Sequence, residues 1–260
     1  MLELSIVIPA FRESAKIAAD VRAAADFCTA NNITAEIIVV DDGSTDHTAD
    51  AAREAAASLP DCLRLQVIRL PHHHGKGAAV RTGVLASTGR YVMFADSGCC
   101  VPYQDAAAGL EMLRADRCDI AHGSRKLPES IIRRPQPIRR RISATLFRCI
   151  TRKLLPLDPN LTDTQCGFKL YKGDIARQLY RQSRTDGFMF DLEIILLARE
   201  KGYRIKEFPI RWSCDPDSRL SLARDPCSVF LELMKIKRRL AKRNWPPATK
   251  NRQRTANTEL

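Results

Sequence analysis

The chain repeatedly alternates short apolar runs with stretches of helical spacing, and this limits what it can fold into. LSIVI (4–8), AEIIVV (35–40) and the YVMFA of RYVMFAD (90–96) carry no polar residue on alternate positions beyond an occasional one, and each ends abruptly. A strand without in/out alternation is buried on both faces, which requires helices above and below it. The intervening segments supply them: Ile17, Val21, Ala24 and Cys28 recur at helical spacing. A helix is expected from about Asp46 to Ala57 with Ser44 or Thr45 as its N-cap. GKGAAVRTGVLAS (75–87) reads as a loop running into a helix and Tyr103 to Ala115 as another. LRLQVIRL (63–70) alternates as a half-covered strand does, and CDIAHGS (118–124) is a further strand. The expectation is a Rossmann-like α/β fold, a mainly parallel sheet flanked by helices.

In such sheets ligands collect beyond the carboxyl ends of the strands. Those ends are chemically marked here: Pro9 and Glu13 follow the first, Asp41 and Asp42 the second, Asp96 the fourth. One acidic residue at a strand end is an ordinary cap or turn former; three on one rim point to a site. No GxGxxG follows the first strand, which disfavours a dinucleotide-dependent dehydrogenase.

The pattern changes after about Lys126. Pro128, Pro135 and Pro137 interrupt the chain, then Ile138, Ile142, Leu146, Cys149 and Ile150 form an apolar stripe among arginines. LDPNLTDTQCGFKLYK (157–172) reads as a polar loop, GFMFDLEIILLAREKG (187–202) as a helix and YRIKEFPI (203–210) as a strand. Asp225-Pro226, a cap followed by proline at the first helical position, opens an amphipathic helix. Val229, Leu233, Ile236 and Leu240 mark its apolar side, amid Lys235, Lys237, Arg238, Arg239, Lys242 and Arg243. The domain reading is a catalytic unit over 1–222, the basic amphipathic helix over 223–243 and a disordered tail over 244–260.

Charge separates the possible partners. The chain carries +12, yet residues 125–153 and 235–254 together hold +18, which leaves the remainder at −6. Two basic surfaces beside an acidic body suit an anionic membrane or a phosphorylated lipid, although a helix packed on the domain with a solvated basic face is an equal alternative. The basic runs lack the interleaved aromatics that stack on bases, so nucleic acid is not expected. No apolar run is long enough to span a bilayer, and MLELSIVIPAFRE lacks the features of a signal peptide. Nine cysteines without a CxxC pair read as free thiols of a reducing compartment, not as a zinc site.

Four ordered blocks, SIVIPAFRE, EIIVVDDGSTDHT, HGKGAAVRTGVLASTGRYVMFAD and DTQCGFKLYK, resemble the inverting family 2 glycosyltransferases with the GT-A fold. With GFMFDLEI, the last block is most similar to the polyprenyl- and dolichyl-phosphate sugar synthases, the glucosyl- and mannosyltransferases. The resemblance covers about residues 3 to 222. It implies that Pro9, Ala10 and Glu13 form the first nucleotide-contacting loop, with Arg12 where the family has Asn. It implies that Asp41 and Asp42 meet the base and ribose of the donor and that Lys76 and Arg81 approach the nucleotide. Asp96 matches the first carboxylate of the family's DxD metal motif. Here the sequence reads Asp96-Ser97-Gly98, so the second carboxylate is missing, and Mg²⁺ or Mn²⁺ would be held through Asp96, waters and the diphosphate. His72, His73 and His74 cannot all converge on one centre, and a polar loop is the plainer reading beside a metal role. Asp163, Asp191 and Glu193 resemble acceptor-side acidic positions; helix geometry keeps the last two off a common face.

The resemblance implies direct displacement at the anomeric carbon of a nucleotide-sugar (UDP-glucose or GDP-mannose type), with inversion. A polyprenyl phosphate acceptor is already ionised near neutral pH, so the task is to bring two anions together. Arg125, Arg139, Arg140, Arg141 and Arg219 suit that phosphate, since a guanidinium binds it in bidentate fashion. Asp163 is expected to orient the acceptor or act as base. The catalytic set is therefore Asp96, Asp163, Arg125 and Arg219, in a cytoplasmic protein held peripherally on the cytoplasmic face of a membrane. Two alternatives stand beside this: the same donor chemistry on a cell-surface glycan, and a metal-deficient, non-catalytic nucleotide-sugar-binding relative.

Overall fold

Strands β1 (Leu4–Ala10) and β2 (Ala35–Asp41) lie side by side in parallel, every residue buried, as their uninterrupted apolar character requires. The computed structural model describes residues 2–60, 62–215 and 226–241, without the side chains of 58, 139–144, 226–229 and 240. Helix α1 (Ile17–Ala30) links β1 to β2; α2 (Thr48–Glu54), continued by a 3₁₀ turn over Ala55–Ser58, leads to β3 (Leu63–Arg69). Helix α3 (Lys76–Ala86) then crosses back to β4 (Tyr91–Ala95), which pairs with β1. Beyond it come α4 (Ala106–Arg114), β5 (Ile120–Ser124), β6 (Ile131–Arg134), α5 (Ile138–Leu154), β7 (Phe168–Lys172) and α6 (Gly173–Gln182). Helix α7 (Phe190–Glu200), β8 (Ile205–Pro209), β9 (Arg211–Ser213) and α8 (Pro226–Ala241) complete the described elements.

Seven strands form one sheet in the order β3-β2-β1-β4-β7-β5-β8, and β6 pairs with β9 in a separate two-stranded sheet. The main sheet is parallel except for β7, which runs antiparallel to both β4 and β5. Alternate residues of β1 and β2 enter opposite cores. Leu4, Ile6, Ile8, Ile37 and Val39 pack with α1, α2 and α4, while Val7, Ile38 and Val40 pack with α3, α6 and α7. The edge strand β3 keeps the alternation expected of a half-covered strand. Where β1 and β2 do carry polar residues, these satisfy one another: Ser5 Oγ donates to Glu36 at 2.6 Å, and Glu36 also accepts from the Thr88 backbone and hydroxyl.

Two local expectations differ from the structure. The amides ahead of α2 are capped by Asp46, which accepts from the Thr48 N–H, while Ser44 Oγ instead accepts from the Arg12 N–H. The segment 157–172 is not polar loop throughout, since its last five residues are β7 in the middle of the sheet. Its lysines hid this, because a buried strand is expected to be apolar. The stripe along α5 is turned largely to solvent, with Ile138 72%, Leu146 61% and Ile150 38% exposed, while Phe147 packs inside.

Helix α8 is docked on the domain. Leu233 and Ile236 are buried with Met189, Leu192 and Leu196 around α7, with Phe147 of α5 and with Leu155 just after it. Polar contacts pin it as well, with Arg239 3.0 Å from Glu193 and Glu232 accepting from the Met189 N–H. Its outer face carries exposed Phe230 and Leu231 together with Lys235, Lys237 and Arg238. Residues 242–260 lie outside the described residues. Replacing Leu233 with Ala removes a buried side chain and is expected to cost about 2–5 kcal/mol, measured as faster amide exchange along α8. A cost under about 0.5 kcal/mol, the ordinary size for a surface substitution, would show that the helix is not packed there.

Candidate active site

The parallel register brings the carboxyl ends of β1, β2 and β4 together: Ala10 pairs with Asp41, and Val7 with Phe94 one residue short of the β4 end. Because β7 runs the other way, it begins where they finish, and Phe168 pairs with Ala95. Gly167 thus arrives beside Asp96, accepting from the Asp96 N–H at 2.8 Å. A Cβ on Gly167 would fall inside the Asp96 carboxylate as it stands, so any larger residue here would have to displace that side chain. A cavity of about 210 Å³ lies at this rim. Its wall includes Pro9, Ala10, Glu13, Asp42, Lys76, Asp96 and Arg125, with Phe11, His73, Gln165, Phe188, Trp212 and Asp215.

The acidic strand ends are held in different ways. Asp41 is fully buried and outside the cavity wall; its Oδ1 accepts from the Ser44 N–H at 3.0 Å. Its Oδ2 is buried without a hydrogen bond among the described residues, with Arg69 Nε 3.5 Å away. Asp42 accepts from the His74 and Gly75 N–H groups, 2.8 Å each, and His73 Nδ1 lies 2.8 Å from its Oδ2. It therefore shapes the turn that opens α3. That turn needs φ +118° at Gly75, with Asp186 O only 2.5 Å from where a Cβ would sit. His73 stacks on Phe11 at 4.1 Å, and His72 and His74 stack on each other.

Lys76, the first residue of α3, places Nζ 2.6 Å from Asp96 Oδ1 and 5.3 Å from the Phe94 ring centre. Burial disfavours its charge, but Asp96 and then Asp191 outweigh this and hold it above the ordinary lysine value. Arg81, a turn and a half further on, pairs with Asp186 and lies outside the cavity wall. Across the cavity, Asp163 receives Arg125 through two bonds, Nε at 2.6 Å and a second guanidinium nitrogen at 2.7 Å. Burial works against the Asp163 charge, yet Arg125 keeps the carboxyl below its ordinary value. Arg125 lies 5.3 Å from the Trp212 ring centre. Asp215 also lines the cavity, paired with Lys16 at 2.9 Å.

Asp191 and Glu193 go to different partners. Asp191 is buried against Lys169, and burial lifts its carboxyl above the usual range against the pull of Lys169 and Lys76. Glu193 accepts from Ser183 Oγ and from the Arg184 and Thr185 N–H groups, and pairs with Arg239. The side chains of Arg139, Arg140 and Arg141, and all of Arg219, lie outside the described residues. Sequence reasoning missed Gly167, Glu207, Lys169 and His122. Glu207 fastens the 162–163 backbone, accepting from the Thr162 and Asp163 N–H groups. A lysine and a histidine in otherwise apolar strand segments were the signals available for Lys169 and His122.

His122 is buried, and neither ring nitrogen has a hydrogen-bond partner among the described residues. Burial, then the Lys169 charge, holds it neutral well below the ordinary imidazole value, with Asp163 pulling weakly the other way. The unfolded chain takes up that proton near pH 6.5 and the folded chain does not. Stability is therefore full above this value and falls below it, by about 1.4 kcal/mol per pH unit for one proton. His122→Phe is expected to flatten this part of the urea-unfolding profile between about pH 6.5 and 5, and an unchanged slope would refute the assignment.

The family model described as Glycosyl transferase family 2 matches residues 5–180. The dolichyl-phosphate β-glucosyltransferase of Saccharomyces cerevisiae is 30% identical over 250 residues, covering 90% of this chain and 74% of that protein. That of Drosophila melanogaster is 30% identical, covering 85% of this chain and 70% of its own. Glycosyltransferase AglD of Haloferax volcanii is 27% identical over 90% of this chain, which spans only 37% of that protein. Among solved structures, Mycobacterium tuberculosis glucosyl-3-phosphoglycerate synthase with Mn²⁺, UDP-glucose and phosphoglyceric acid aligns with a TM-score of 0.66. It is 16% identical, with 91% of this chain and 80% of that one covered. Mannosyl-3-phosphoglycerate synthase from Rubrobacter xylanophilus aligns at 0.67 with 15% identity, covering 97% and 78%. At these identities the structures establish the shared GT-A architecture.

Proposed function

The chain belongs to glycosyl transferase family 2 and is a glycosyltransferase, and we propose that it moves glucose from UDP-glucose to a polyprenyl phosphate with inversion. The observation that carries this reading is one cavity whose wall holds Glu13, Asp42 and Asp96 on one side and Lys76 and Arg125 among them. Such a wall offers hydrogen-bond acceptors for ribose and sugar hydroxyls beside cations for two sets of phosphate oxygens. The relatives named dolichyl-phosphate β-glucosyltransferase support the choice of sugar and acceptor.

Asp41 Oδ2, buried without a hydrogen bond among the described residues and 3.5 Å from Arg69 Nε, is an acceptor of the type that a base imide requires. Asp96 and neighbouring Ser97 provide hard oxygen donors, the type that Mg²⁺ and Mn²⁺ take. Among the described residues no three His, Cys, Asp or Glu side chains converge on an ion, so Asp96 would hold it together with the diphosphate and water. When bound, the cation supplies positive charge to the departing nucleoside diphosphate. Lys76 contributes the same from the protein: it is held charged, and release from Asp96 frees Nζ for a diphosphate oxygen. The acceptor phosphate is already ionised, so no general base is required. Asp163 has both oxygens engaged by Arg125, and its role in this reading is to hold that guanidinium toward the acceptor phosphate.

The acceptor is a lipid, and the outer surface suits one. Ile138, Leu146 and Ile150 on α5 and Phe230 and Leu231 on α8 are exposed, on two helices that share a buried seam. Arg152 and Lys153 on α5 and Lys235, Lys237 and Arg238 on α8 are described residues among them. Apolar side chains with basic neighbours fit the surface of an anionic bilayer, and no described helix is long and apolar enough to cross one. Phe188, exposed and also in the cavity wall, lies where a lipid chain would leave the site.

Calorimetric titration of UDP- and GDP-sugars with Mg²⁺, Mn²⁺ or EDTA is expected to show metal-dependent binding of UDP-glucose. Asp96→Asn should lower transfer into solvent-extractable lipid by about 10²–10³-fold, the scale for losing a charge-stabilising group. Full activity in that variant, or product confined to soluble acceptors, would overturn the reading. Phe230→Ser with Leu231→Ser is expected to reduce sedimentation with anionic vesicles, further at high salt; binding that ignores both would exclude this surface.

A further inference from the structure

Lys169 is the strangest residue in the sheet. It occupies the interior of β7, is 1% exposed, and is flanked by Phe168 and Leu170, both core residues. A buried lysine is costly unless a counter-charge and further acceptors compensate it. Here both exist: Nζ contacts Asp191 at the start of α7 and donates to the Thr164 carbonyl at 3.1 Å. The residue directly opposite on β5 is His122, a neutral neighbour that brings no rival charge.

Thr164 sits between Asp163, which holds Arg125, and Gln165, which lines the cavity. On its far side the same loop is fastened by Glu207 through the Thr162 and Asp163 amides. The loop is therefore gripped from two directions, and the grip nearest Gln165 is the one Lys169 makes. Removing Asp191 would leave Lys169 a buried cation without its carboxylate; removing Lys169 would leave the Thr164 carbonyl without that donor.

We propose that the buried Lys169–Asp191 pair is a positioning pair: through the Thr164 carbonyl it sets where Gln165 and the Asp163-held Arg125 stand, and so governs the acceptor step without touching the donor. This rests on the transfer reaction proposed above. A pair kept only for packing is dispensable when both members become apolar, because exchanging a buried ion pair for apolar residues is often neutral for stability.

The test uses the full chain with Lys169→Met and Asp191→Leu combined, and separately Asp191→Asn, which preserves volume. Cooperative urea unfolding, calorimetric UDP affinity, kcat and KM for acceptor, and amide exchange over 162–167 are measured. The double variant is expected to unfold cooperatively and to bind UDP within about twofold of wild type. Its kcat should fall about 100-fold, the scale of a roughly 1 Å misplacement of a positioning group. Exchange over 162–167 should rise in both variants while that of β4 does not. A folded double variant with wild-type kcat, a UDP affinity that falls in step with kcat, or unchanged exchange over 162–167 would each overturn the proposal. If the double variant does not fold, the exchange over 162–167 in Asp191→Asn decides the matter, because Asp191 also supports the Lys76 charge and its loss can reach UDP binding by that route. Absence of lipid transfer by wild type would instead defeat the reaction proposed above, and the exchange measurement would still judge the pair.

Discussion

The site depends on buried or half-buried carboxylates each having a cation within hydrogen-bond reach. Lys76 lies against Asp96, Arg125 clasps Asp163 and Lys169 meets Asp191. Converging strand ends crowd acidic side chains into a small space of low dielectric, where unpaired charges repel strongly and lack water. Interleaved cations make the crowding tolerable. They also create a surface of alternating sign, which suits a ligand that is part sugar and part phosphate.

The antiparallel strand β7 makes the arrangement possible. A parallel strand in that place would send its start to the opposite rim; running backwards, β7 brings Gly167 against Asp96 and carries Lys169 into the interior. The preceding loop, 162–166, then lies over the cavity between Arg125 and the start of α7. One reversal in an otherwise parallel sheet thus joins the part of the cavity wall at the ends of β1, β2 and β4 to the part that carries Gln165 and Gly167. Helices α5 and α8 pack together and turn apolar residues to solvent, while Leu233 and Ile236 anchor the second of them.

Several features were legible from local pattern. Apolar runs identified β1, β2 and β4, alternation identified β3 as a strand, and the acidic strand ends pointed to the rim where the cavity lies. Others were not. The FKLYK of β7 looks like loop because two of its five residues are lysines, and only their distant partners make burial acceptable. The stripe on α5 was visible as periodicity, but periodicity does not say whether an apolar face meets a core or faces outward. Asp41 and Asp42 are adjacent in sequence and alike in chemistry, yet one is sealed beneath the Ser44 turn and the other lines the cavity.

By itself the sequence determined the alternation of strands and helices through β5, the family, and the rim at which the cavity lies, because these follow from patterns read within a few residues. Tertiary structure decided which carboxylate is paired with which cation. Asp163 finds Arg125 38 residues away, and Lys169 finds Asp191 22 residues away. The physical reason is that a charge's state depends on burial and on neighbours within a few ångströms, and both are set by packing between elements that the linear chain keeps far apart.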